Sequence, residues 1–153
     1  MPSSRHFAWA AAALMIAAVA TAAGVTGADA IKARQTHMKA LGASAKAIFQ
    51  QTHAATPDMA VVKAEAAKID AAAKALPTWF PAGSGAGAKT EALPLIWTDP
   101  KGFAAKQHVL ALAAAKLNAV AQAGDAAGVG PAAHDVGAAC KGCHETYKEK
   151  DKT

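Results

Sequence analysis

Two thiols and an imidazole stand at fixed short spacing in Cys140-Lys141-Gly142-Cys143-His144, and these are the only cysteines in the 153 residues. On a helix, positions i, i+3 and i+4 share one face, so both sulfurs and the ring meet whatever lies against that face. The pattern Cys-x-x-Cys-His is the signature of c-type haem attachment. The two sulfurs become thioethers, and the imidazole takes one axial position on iron. Three other uses of the same residues compete with this one. A structural zinc site needs four ligands, and no second Cys or Cys/His pair stands elsewhere at finger-like spacing. A thioredoxin-like pair follows a strand in a βαβ unit, whereas this pair lies near the C-terminus of a chain with no strand pattern. A simple disulfide between residues three apart stays open. Agreement of the motif with the rest of the chain favours one covalently bound haem c, with Cys140 and Cys143 as attachments and His144 as iron ligand.

A flat, bulky group on that face must be walled by other elements, and the apolar periodicity supplies four helices. Ile31, Met38, Leu41, Ala45 and Ile48 form one stripe on a helix running to about His53. Thr56-Pro57-Asp58 reads as an N-cap with proline at the first helical position. The second stripe then follows, through Met59, Val62, Ala66, Ile69, Ala73 and Leu76. Pro77 stops it, and a Pro- and Gly-rich connection lasts until Asp99-Pro100. So long a link is unusual in a small domain, and Trp79, Phe80, Leu95, Ile96 and Trp97 are expected to pack it down. Phe103, Leu110, Ala113, Leu117 and Val120 mark the third helix, ending near Gly124. Gly130-Pro131 is expected to open the fourth, where Val136, Cys140, Cys143 and Tyr147 share the buried face. The fold class expected is all-α, an antiparallel four-helix bundle with the haem motif near its C-terminus.

The N-terminus reads as an export signal. Arg5 is followed by a run without charged residues from 7 to 25, and Ala28-Asp29-Ala30 offers small residues at the −3 and −1 positions of a cleavage site. The expected cut lies before Ile31, giving a signal peptide of 1–30 and a single cytochrome domain of 31–153, delivered to the periplasm with no membrane span after processing. The net charge is +5. The lysines are scattered at helical intervals, which excludes a nucleic-acid stripe and would steer the molecule toward redox partner proteins with acidic docking surfaces. No Ser/His/Asp set or carboxylate pair offers catalysis, so the reading is not an enzyme.

Taken in order, the motifs resemble the class II c-type cytochromes, the cytochrome c prime superfamily. The matching pieces are Arg34-Gln35-Thr36-His37-Met38, Phe80-Pro81-Ala82-Gly83-Ser84, Ile96-Trp97-Thr98-Asp99 and the haem motif itself. The resemblance places Met38 at the first-helix position that faces iron. In the low-spin branch of the family a methionine there is the sixth ligand, which implies an electron carrier with His144 and Met38 as axial pair. In the high-spin branch that place is apolar, iron is five-coordinate, and nitric oxide or carbon monoxide binds. The connection and the Asp99-Pro100 start look more like the low-spin branch, which is the leading expectation. A methionine on a helical stripe is also an ordinary core residue. Arg34, one turn before Met38, is expected to pair with a haem propionate, and Lys148 stands where many high-spin members carry arginine. His37, His53, His108 and His134 read as surface residues, and Trp79, Trp97 and Phe103 as core. The resemblance allows a monomer or a homodimer.

Overall fold

The computed structural model describes residues 26–150. Positions 1–25, which hold the basic start and apolar run of the expected export signal, lie outside the described residues. The elements are α1 (Gly27–Thr52), α2 (Met59–Ala75), a 3-10 turn (Leu76–Trp79), the short α3 (Leu95–Thr98), α4 (Pro100–Gln122) and α5 (Ala126–Tyr147). Among the described residues there is no strand, only an isolated antiparallel bridge between Ala92 and Lys148.

Helix starts follow the caps. α1 begins ahead of Ile31 because extended Thr26 accepts the Asp29 N–H at 3.2 Å and donates its hydroxyl to the Asp29 carboxylate at 2.6 Å. An acid in the first turn also suits the helix dipole. α2 is capped by Asp58 rather than Thr56: its carboxylate takes the N–H groups of Ala60 and Val61 at 2.9 and 3.3 Å, and Pro57 stays outside the helix. Asp99 caps α4 as expected, with Pro100 first in the helix. α5 starts earlier than Gly130-Pro131, because Asp125 caps the Gly128 N–H at 3.0 Å. Pro131 therefore sits in the second turn, where it costs one helical hydrogen bond without stopping the helix.

The four long helices form the expected antiparallel bundle, α1 against α2, α2 against α4 and α4 against α5, while α1 and α5 touch much less. Val62, Ala66 and Ile69 of α2 and Ala114, Leu117 and Ala121 of α4 are fully buried. Each buried Ile or Leu contributes roughly 1.5–3 kcal/mol, so the α2/α4 seam, together with the more extensive α4/α5 contact, holds the bundle together. The weakly packed α1/α5 seam is left to receive something else.

Candidate haem-binding site

Along the α1/α5 seam lies a cavity of about 640 Å³, within the range of roughly 300–1,000 Å³ usual for cofactor clefts. Cys140, Cys143 and His144 line it from α5, and Met38, Leu41 and Ala45 from α1. Both cysteines are half-buried while His144 is exposed along the cavity wall. Small residues, among them Gly42, Ala133 and Gly137, keep the space open. Burial pushes both thiols above the ordinary cysteine range, with Lys106 opposing the effect at Cys143. An apolar slot of this size, with two thiols and an imidazole on one wall, fits a haem. Among the described residues no three His, Cys, Asp or Glu side chains cluster as they would around a zinc ion.

Behind the cavity the chain builds a polar and aromatic ladder. Arg34 of α1 is 3% exposed. Its guanidinium donates to Ser84 Oγ and Ser84 O, both at 3.1 Å, and to Thr90 Oγ1 at 3.0 Å. It also lies over the Phe80 ring, 4.9 Å from its centroid. Burial lowers its pKa from the ordinary arginine value. Phe80 packs edge-on against Phe103 at 4.8 Å, and Phe103 against Tyr147 at 5.0 Å. The Tyr147 hydroxyl, from the last residue of α5, donates to Asp99 Oδ2 at 2.7 Å, while Asp99 Oδ1 takes the Gly102 N–H at 3.0 Å. These two bonds hold the Asp99 carboxyl below its usual range. Burial first, then Asp99, pushes the Tyr147 hydroxyl up to about 12. A Cβ at Gly102 would displace the Asp99 carboxylate and the Tyr147 hydroxyl from their present positions.

The end of the connection is tied to the residues just after the motif. Leu93 N–H donates to Tyr147 O at 3.0 Å and Glu149 N–H to Glu91 O at 2.7 Å. Lys148 Nζ lies 3.2 Å from Glu91 Oε2. The structure thus brings Met38, Arg34, Cys140, Cys143 and His144 to one cavity.

A family model described as Cytochrome C' matches residues 29–148. The chain belongs to the cytochrome c' family. A cytochrome c' of Pararhodospirillum photometricum is 40% identical over 125 residues, covering 79% of this chain and 91% of the relative. A cytochrome c-556 of Agrobacterium fabrum is 38% identical, over 84% of this chain and 87% of its own. Among solved structures, the nitric oxide complex of a leucine-to-isoleucine mutant of cytochrome c prime from Alcaligenes xylosoxidans is similar at 31% identity. Its TM-score is 0.75, over 82% of this chain and 98% of that one. The covalently attached haem c is thus a family property that the Cys-x-x-Cys-His motif matches.

Against the cytochrome c' framework the other expected side chains fall as follows. Trp79 and Phe103 are core residues and Trp97 is half-buried, donating from Nε1 to Pro81 O at 3.2 Å. His53, His108 and His134 are exposed; His37 is exposed too but stacks on Trp79, with centroids 4.8 Å apart. The sequence reading gave no role to Ser84, Thr90, Gly102 or the Asp99–Tyr147 pair, although Ser84 and Asp99 stand in the family-matching pieces and Tyr147 was placed on the buried face.

Proposed function

We propose that this is a periplasmic, single-haem cytochrome in which Cys140 and Cys143 hold the haem, His144 takes one axial position, and the Met38 side stays open to nitric oxide or carbon monoxide. The observation that carries the reading is the α1/α5 cavity, where α1 presents the apolar Met38, Leu41, Ala45, Ile48 and Phe49 beside its polar lining residues Arg34, Gln35 and Lys46. Relatives named cytochrome c', and the nitric oxide complex of one of them, support it. When bound, haem supplies an iron that changes oxidation state and takes a small ligand. The chain does the rest. The apolar side chains of α1 would cover the bound group, Cys140, Cys143 and His144 of α5 would hold it, and the Tyr147–Asp99 bond steadies the end of the helix that bears His144.

A second reading has its own support. Met38 is half-buried on the cavity wall, and a thioether is a soft ligand suited to a haem iron already held by imidazole. With Met38 as sixth ligand the protein is a low-spin electron carrier, whose +5 charge favours acidic partners. Carbon monoxide titration of the ferrous protein separates the two. The open form binds without displacing a ligand, giving a single fast phase in proportion to gas concentration. The methionine-ligated form binds slowly, at a rate that saturates as Met38 must first leave.

A further inference from the structure

We propose that the export peptidase cuts after Ala22, at Ala20-Thr21-Ala22, so that the mature chain begins at Ala23 and keeps residues 26–30 as the cap and first turn of α1. The alternative cut before Ile31 would remove built structure. Ala30 is 6% exposed, and its N–H donates to Thr26 O at 3.0 Å. Gly27 lies flat against the connection: a Cβ there would come within 2.6 Å of Ala86 O and 2.9 Å of Gly83 O. A Cβ on Gly87 would in turn be 3.3 Å from Ala28 N. The first turn of α1 is thus seated on the same segment that Arg34 grips through Ser84.

Electrostatics point the same way. A chain starting at Ile31 would carry a free ammonium group on a residue only 1% exposed, with the buried Arg34 guanidinium one turn on. It would also stand at the positive end of the helix dipole, stripped of Asp29, the acid that offsets it. The family match beginning at residue 29, ahead of Ile31, is an independent sign that this turn belongs to the folded domain. Ala20 and Ala22 satisfy the small-residue requirement as well as Ala28 and Ala30 do, and they leave an apolar stretch of 7–19, within the roughly 7–15 residues of an ordinary signal core.

Intact-mass measurement of the exported holoprotein is the test. The expected mass is that of residues 23–153 plus one haem; a mass starting at Ile31, at residue 1 or anywhere else overturns the assignment. Ala22→Leu, which alters only the precursor, should make the uncleaved form accumulate. Unchanged processing of that variant would likewise overturn the proposal. A signal peptide joined directly to Ile31 should yield a holoprotein whose thermal midpoint lies several degrees below that of the wild type, whereas equal midpoints would show that residues 26–30 are not part of the fold.

Discussion

Replacing Arg34 by methionine keeps the length of the side chain and removes its charge and its donors. Three charge-assisted hydrogen bonds disappear, to Ser84 Oγ, Ser84 O and Thr90 Oγ1. Ser84 Oγ still donates to Pro81 O, and Thr90 Oγ1 still accepts from Ala92 N–H. The Ser84 carbonyl, in a residue 1% exposed, loses its donor. An unsatisfied buried acceptor costs about 1–3 kcal/mol and bonds to a charged group contribute about 1.5–3 kcal/mol each. Contact over the Phe80 ring adds about 0.5–2 kcal/mol. Relief from burying a guanidinium offsets part of this, leaving an expected loss of about 3–5 kcal/mol. For a domain of this size that lowers the thermal midpoint by about 10–20 °C. Circular dichroism melts of wild-type, Arg34→Met and Arg34→Lys holoproteins make the measurement. Lysine lacks the planar fork and should recover less than half of the loss. If Arg34→Met costs under about 1 kcal/mol while the redox potential moves, Arg34 serves a haem propionate and the loop-pinning argument is wrong.

Other consequences are as direct. Cys140→Ala with Cys143→Ala should abolish haem stain on a denaturing gel, and stain retained by the double mutant would contradict attachment through these sulfurs. Tyr147 is the only tyrosine, so phenolate absorbance in alkali reports one group. It should titrate at about 12 in the folded protein and near the ordinary value of about 10 after denaturation. Because the folded pKa is the higher, the associated stability is complete below about pH 10 and falls as pH rises toward 12. Asp99 works in the opposite sense: its pKa is depressed, so its contribution is present above the ordinary carboxylate range and lost as pH falls through the folded value. Tyr147→Phe should raise the Asp99 pKa toward its ordinary value, so the variant's stability deficit should be largest near neutral pH and shrink on acidification, as read from denaturant unfolding across that range. Gly102→Ala should lower the thermal midpoint by driving its methyl into the Asp99–Tyr147 pair, with little effect if that pair does not matter. Met38→Ala should leave an already high-spin iron high-spin and speed carbon monoxide binding.

The bundle was legible because period-3.6 stripes survive an alanine-rich composition. Val62, Ala66, Ile69 and Ala73 of α2 and Leu76 just beyond it are buried as the spacing predicts, and Met59 is half-buried. The third stripe drifted: Ala114 and Ala121 are buried where Ala113 and Val120 were expected, since a run of alanines gives periodicity little to choose between. The caps at Asp58 and Asp125 were missed because nearby prolines are louder punctuation than a carboxylate reaching forward to one or two N–H groups. At the site, the motif residues were readable from spacing alone. Arg34 was placed at the cavity, but its grip on Ser84 and Thr90, fifty or more residues away, is a tertiary fact. The Asp99–Tyr147 bond is likewise long-range. Met38 could be placed on the right face, yet whether a thioether binds iron depends on distances that a stripe does not encode.

The reading therefore rests most directly on the coordination of the iron. Resonance Raman spin-state markers of the purified ferric and ferrous holoprotein at neutral pH measure it. An open site beside Met38 predicts a five-coordinate, high-spin ferrous iron that shifts on addition of carbon monoxide. A six-coordinate, low-spin spectrum in both oxidation states, converted to high spin by Met38→Ala, would contradict the open-site proposal and establish Met38 as the sixth ligand.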